Sequence, residues 1–255
     1  MAEPTRSSAT SSARRTVSDV LTTPSRTTMR RRPGLSEEVA GHLRHLIMSG
    51  TIRPGEFIRM DETAVELEVS VTPVREALLT LRGEGMVNLV PHRGYVVADL
   101  TRQDVEDIFW LQSVLAVELA VRTASTITSA EVDRLAELNE ALQDALAAGR
   151  VSEIVSAEFE FHRVHNRIAN GDKLAWFLLN ATRYTPQELY ANDPQWGQVA
   201  YDSHLKLIDA YRRGDRDEVV EQTRRQFTDG AERLMRHLES IGLWSDDADN
   251  AAAPG

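Results

Sequence analysis

The chain of 255 residues has no cysteine, so no disulfide is available to it, and its Arg- and Glu-rich composition suits a reducing cytosol. It also lacks a long apolar run: nothing approaches the ~20 residues needed to cross a bilayer. The first 33 residues are polar and Ser/Thr/Arg-rich, without the apolar stretch of a secretory signal. A soluble, cytoplasmic protein with no membrane partner is therefore expected. No Gly-rich phosphate loop, nucleophile–base pair at matched spacing or complete metal triad is present, so an enzyme is not expected. A general excess of positive charge is missing too, because the net charge is -10.

The distribution of that charge matters more than its sum. Residues 1–33 hold seven Arg and a net +5, residues 34–100 carry -4, and the rest carries -11. Any nucleic-acid surface must then be a local patch, not a basic domain.

Residues 1–33 have too few apolar side chains to offset chain entropy and read as a disordered basic arm. Residues 243–255 read as a loose tail. Between them lie two segments, 34–100 and 101–242. In the first, Ser36 has cap chemistry ahead of Val39, Leu43, Leu46 and Ile47, and Gly50 closes that stripe. Arg53-Pro54-Gly55 makes a turn, and a short helix over 61–67 puts Met60, Ala64 and Leu67 on one side. SVTPVREALLTL at 70–81 opens a third helix. Thr72 reads as its cap, and Pro73 sits in the first turn, where a missing N–H costs nothing. Its stripe is Val74, Ala77, Leu78 and Leu81. Residues 86–90 and 95–98 are β-like, joined by Pro91-His92-Arg93-Gly94 as a hairpin. Helix, helix, turn, helix, hairpin describes a winged helix-turn-helix.

From Thr101 onward the pattern is helical. Thr101 with Asp104, Thr128 with Glu131, and Asp215 with Glu218 have capping-box spacing. Val132, Leu135, Leu138, Leu142 and Leu146 form a stripe that Gly149 closes, and further helices are predicted over 152–169, 172–182, 195–213 and 215–239. Phe109, Trp110, Trp176 and Phe177 are assigned to the core. The fold class is mainly α, an N-terminal winged helix-turn-helix followed by an all-helical bundle.

Residues 35–100, with TPVREAL at 72–78 and HRGYVV at 92–97, resemble the winged-helix domain of the GntR family of bacterial transcription regulators. EFEFH at 158–162 and HLKLIDAYRRGD at 204–215 resemble the FCD-type effector domain of its FadR subfamily. The resemblance implies a homodimer on double-stranded DNA at a palindromic operator, most often as a repressor. One recognition helix per subunit enters the major groove, and the wing reaches toward the minor groove. On that placement Arg59, Ser70, Val71, Thr72, Pro73 and Arg75, with His92, Arg93 and Gly94 of the wing, form the DNA-binding set. The helix amino terminus suits a phosphate. Arg75 suits a guanine edge, a bidentate pair of ~1–3 kcal/mol discrimination. Val71 stands where the family usually has an arginine, and Glu68 replaces a common glycine. An altered operator is expected from this, not lost binding, because phosphate contacts supply much of the affinity. The arginines of the arm either supply the missing charge or take no part.

For the effector domain the resemblance implies a divalent metal (zinc, manganese or nickel) held by one Asp and three His, beside which a small carboxylic acid binds. The matching positions are Glu158, His162, His204 and Gln226. Glu still ligates, whereas Gln offers only a weak neutral oxygen, so affinity for soft divalent ions should fall. His165, three residues beyond His162, is a candidate replacement ligand. Gln112 stands where the subfamily tends to carry a carboxylate-gripping Arg, and Ala116 replaces a usual Glu. A pocket so neutralised prefers an uncharged ligand, since an unpaired buried carboxylate is costly. An apolar, acyl or lipid-like effector is one expectation; a carboxylic acid on a degenerate metal site is the other. Two different classes remain beside the regulator: an enzyme or carrier bearing a winged helix, and a protein-interaction module that uses the winged helix structurally.

Overall fold

Ten α-helices, one 3-10 turn and three short strands make up the described residues, 33–244, of this computed structural model. The expected basic arm lies outside them except for Pro33, and so does the expected tail beyond Trp244.

Helix α1 (Pro33–Met48) starts at a proline, whose missing N–H falls among the donors that a first turn leaves free. Ser36 is therefore inside the helix and does not cap it. Strand β1 (Phe57–Ile58) went unforeseen because two residues carry no period. After α2 (Met60–Glu66) comes α3 (Val71–Gly83), with extended Ser70 as its N-cap in place of Thr72; Pro73 stays within the first turn. Strands β2 (Val87–Val90) and β3 (Gly94–Val97) pair antiparallel with Val87 opposite Val97, and β1 adds to β3 with Phe57 opposite Val96. The hairpin turns through His92 at φ 63° and Gly94 at φ 102°, left-handed values that suit the glycine far better. The Arg93 guanidinium lies 4.9 Å from the Phe57 ring centroid, fastening the wing to β1.

Helices α4 (Arg102–Thr126) and α5 (Ser129–Ala147) begin with complete capping boxes at Thr101–Asp104 and Thr128–Glu131. They are followed by α6 (Val151–Ile168), α7 (Asp172–Ala181), the 3-10 turn Thr182–Tyr184 and α8 (Gln187–Ala191). Then come α9 (Pro194–Arg213), stopped by Gly214, and α10 (Arg216–Ser240), capped by Asp215.

The winged-helix and helical segments share one core. Val39, Leu43, Leu78 and Leu81 cluster with Phe109 of α4, Tyr190 of α8, and Leu234 and Leu238 of α10. Gly50, at φ 72°, lets the backbone meet α10: an added Cβ would stand 2.5 Å from Ile241 Cδ1. Across the same seam Arg53 donates to the Ile241 carbonyl, and His237 Nε2 donates to the Ser49 carbonyl at 3.1 Å. Trp244 donates from Nε1 to the Leu100 carbonyl at 2.6 Å, and with Leu243 it packs on the core. These two residues thus depart from the expected tail, because each finds an apolar partner.

Helix α4 corrects two expectations. With 25 residues and a largely apolar, charge-poor stretch, it matches a membrane span in length and composition. Its inner face nevertheless packs on α10, with Val105, Phe109, Leu119 and the polar Gln112 and Thr123 buried. Of the four aromatics assigned to the core only Phe109 is buried; Trp110 is 66% exposed, and Trp176 and Phe177 are each 56% exposed. Helical spacing decides this: Trp110 follows Phe109 by about 100° and so leaves the core face.

Candidate functional site

Helix α3 turns its polar face outward because its apolar stripe has nowhere else to go. Val74, Ala77, Leu78 and Leu81 are fully buried, which turns Thr72 and Arg75 to solvent. Arg59, Ser70, His92 and Arg93 are exposed as well, while Val71, Pro73 and Gly94 are half-buried. Val71 packs against the core cluster. This gives an apolar residue at the helix mouth a packing role. A groove lined by Phe57, Arg59, Met60, Asp61, Arg93 and Gly94 brings wing and helix-turn-helix residues together. Arg59 pairs there with Glu62 at 3.1 Å, and Arg75 has no ion-pair partner among the described residues.

A second site lies inside the helical segment, in a cavity of about 460 Å³ among α4, α6, α7, α8, α9 and α10. Helix α6 brings Glu158 and His162 to one face, four residues apart, and α9 brings His204 up to them. His162 Nε2 is 3.4 Å and His204 Nε2 is 3.9 Å from Glu158 Oε2, and all three ligand atoms fall within 4.8 Å of one another. Phe161 stacks on His204 with ring centroids 3.8 Å apart, which holds the buried imidazole in place. His204 donates from Nδ1 to Asn139 Oδ1 at 3.0 Å, and Asn139 Nδ2 donates to the Tyr201 carbonyl at 3.2 Å.

Burial drives the His204 pKa down to about 3 against the pull of Glu158, so this imidazole is neutral near pH 7. Burial works against the Glu158 charge, and the two histidines work for it, leaving its carboxyl below the ordinary range. The histidines help that charge fully only when protonated. With His204 neutral, its imidazole and the Glu158 carboxylate converge, and His162 Nε2 stands beside them. Glu158 Oε1 is moreover buried without a hydrogen-bond partner. That donor set suits a divalent ion.

Of the other residues predicted for this site, His165 does not join the cluster. Its Nε2 meets the Tyr211 hydroxyl and its Nδ1 meets Asn166 Oδ1 at 3.1 Å; burial lowers its pKa to about 4. Both ring nitrogens are taken, so His165 lines the cavity as a structural residue. Gln226 also lines it, with a buried Nε2 that has no partner. Gln112 and Ala116 form part of the wall, but Gln112 is not free to grip a ligand. Its amide nitrogen donates to the Ala181 carbonyl at 2.9 Å, and its oxygen accepts from the Thr185 hydroxyl at 3.3 Å.

Sequence reasoning missed Asn139, although a polar residue on the buried face of the α5 stripe was a signal. It also missed residues 182–191, which have no apolar period. That stretch faces two ways. Thr185, Tyr190 and Ala191 line the cavity, and Tyr190 donates to the Gly230 carbonyl at 2.7 Å. On its other side Arg183 pairs with Glu37 of α1 at 3.0 Å, and Glu188 lies 3.8 Å from His45.

Residues 35–97 match the model of bacterial regulatory proteins of the gntR family, and residues 107–238 match that of the FCD domain. The chain is similar to the HTH-type transcriptional repressor RspR of Escherichia coli, 24% identical over 82% of this chain and 93% of that protein. It is likewise similar to the gluconate operon transcriptional repressor of Bacillus licheniformis, 26% identical over 75% and 81%. Among solved structures, E. coli McbR/YncC superposes with a TM-score of 0.61 at 21% identity, covering 79% of this chain and 97% of that one.

Proposed function

The chain belongs to the GntR family of bacterial regulatory proteins, with an FCD domain after its winged helix, and it is a transcription regulator, not an enzyme; from that premise we propose a cytoplasmic, homodimeric repressor whose hold on a palindromic operator is set by a small molecule in the cavity. Residues 34–100 are the DNA-binding domain in this reading, and 101–242 the effector-binding and dimerisation domain. The observation that carries it is the double-facing stretch 182–191, which touches the cavity on one side and α1 of the winged helix on the other. A ligand that moves Tyr190 or Thr185 acts directly on the segment paired with Glu37. Such a ligand shifts the operator equilibrium by its differential affinity for the two arrangements.

The wall of the cavity favours an apolar or acyl-like effector. No lysine lines it; Arg163 is paired with Glu160, and Arg167 is exposed. A carboxylic acid is the second reading: it needs a counter-charge, which Arg167 at the edge of the lining or an ion held by Glu158, His162 and His204 would supply. Those three residues would hold a zinc, manganese or nickel ion, with Gln226 beside them. The ion would supply a Lewis-acid position for a ligand oxygen.

Selection of duplexes from a random pool by the purified protein tests the function. Enrichment of a two-fold symmetric sequence, bound with an affinity that falls steeply with salt, is the expected result. A pool that stays random, or a flat salt response, would sink the operator reading.

The dimer rests on the uncovered apolar faces of α4 and α7, where Trp110, Leu111, Val114, Trp176 and Phe177 are exposed on two helices that pack together. A second copy covers such a patch on both subunits at once. Trp110→Glu is expected to shift the protein toward monomer in sedimentation and to weaken operator binding with it. An unchanged dimer would place the interface elsewhere.

A further inference from the structure

We propose that Asn139 is a positioning residue for the cation site: it sets His204 in the one tautomer that leaves Nε2 free to ligate. The inference rests on the metal reading above and adds to it a residue outside the donor set. Each hydrogen bond in the chain has its direction forced. The Tyr201 carbonyl can only accept, so the Asn139 atom facing it at 3.2 Å is the amide nitrogen. That orients Oδ1 toward His204 Nδ1 at 3.0 Å, and Oδ1 also can only accept. The proton of a neutral His204 is thereby placed on Nδ1, and Nε2 carries the lone pair.

The result is an arrangement that the fold leaves incomplete. The Nε2 lone pair of His204 faces the Glu158 carboxylate at 3.9 Å, two acceptors with no donor between them, and Glu158 Oε1 has no partner either. Asn139 and His204 are buried with 0% and 1% exposure, so the bond between Nδ1 and Oδ1 is shielded from competing water. Were the proton on Nε2 instead, His204 would donate to Glu158, and the pair would close on itself with no place for an ion. Asn139 holds this alternative off. It reaches across from α5, whereas the two acceptors sit on α6 and α9, so the tautomer is set by a third element that never touches the ion. Outer partners of ligating imidazoles commonly change metal affinity by about 10–100-fold.

The test is calorimetric titration of the metal-stripped full chain with zinc and with manganese, for the wild type, Asn139→Leu and Asn139→Asp. Asn139→Leu is expected to weaken binding by about 10–100-fold, because either tautomer of His204 then becomes available. Asn139→Asp keeps an acceptor for Nδ1–H while losing the bond to Tyr201. It is expected to bind as tightly as the wild type or more so. A merely structural amide would make the two variants equally poor. Nitrogen-15 NMR of the metal-free wild type reads the tautomer without any ion, with Nδ1 protonated and Nε2 bare for His204. A proton on Nε2 would overturn the proposal even where Asn139→Leu fails to fold. If the wild type takes up neither ion, nor nickel in a third titration, the metal reading falls and this inference falls with it. If the wild type binds and Asn139→Leu binds equally well, only the role of Asn139 is lost.

Discussion

Glu84→Leu is expected to destabilise the protein by about 3–5 kcal/mol, measured as the change in unfolding free energy in urea. Arg44 on α1 is 2% exposed, and it donates from Nε and from one terminal nitrogen to the two carboxylate oxygens of Glu84, each at 2.8 Å. Burial opposes the Arg44 charge, but the hydrogen bonds and charge of Glu84 outweigh it and raise the guanidinium pKa. Deleting the carboxylate leaves a charge that cannot deprotonate, held out of water with no acceptor. That is the costly way to break a buried pair. Arg44→Met is expected to be milder, since Glu84 keeps 19% exposure and can turn to solvent. The double variant should recover most of the loss, because an apolar pair of similar volume often replaces a buried ion pair at little cost. If Glu84→Leu alone is neutral, Arg44 reaches water by another route. The pair also matters for orientation, because Glu84 is the C-cap of α3 and Arg44 ties it to the helix that meets residues 182–191.

Where the physics is local, the sequence was readable. The stripe Val74, Ala77, Leu78 and Leu81 has one helical face, and all four residues are buried as expected. Thr101 with Asp104 and Thr128 with Glu131 need only three-residue spacing to announce helix starts, and both boxes are complete. Glu158, His162 and His204 were brought together by family likeness, since the pattern of α6 alone could join only the first two. What escaped depended on partners far along the chain. The role of Gln112 is fixed by a carbonyl 69 residues away, and Asn139 meets its carbonyl and its histidine at separations of 62 and 65. His165 looked like a spare ligand until Tyr211 and Asn166 were seen to occupy both of its nitrogens. The aromatics failed for another reason. Hydrophobicity says that Trp110 and Trp176 prefer burial but not against what, and an apolar face left uncovered reads the same as a core face.

Arg75→Ala is expected to lower operator affinity about 5- to 150-fold per half-site, equivalent to ~1–3 kcal/mol for each bidentate base contact. Arg75 is exposed on the first turns of α3 and has no ion-pair partner among the described residues, so its loss should leave folding and dimerisation alone. Lysine at the same position separates two kinds of contact. A phosphate contact tolerates Lys and, on removal, reduces the slope of log K against log salt by about one. A guanine contact needs the planar fork, so Arg75→Lys should lose discrimination between operator variants while the salt slope holds. Anisotropy titrations of the three proteins on the selected duplex, and on versions changed one base pair at a time, read both quantities. Wild-type affinity in Arg75→Ala would remove the helix from the groove altogether. Val71 bears on the same reading: being half-buried against the core, it leaves Arg75 as the long basic side chain that α3 presents near its amino end. If Arg75 is the base-reading residue, the lysine variant should bind every single-base-pair version about equally, whereas unchanged discrimination would put base readout on other side chains such as Arg59 or Arg93.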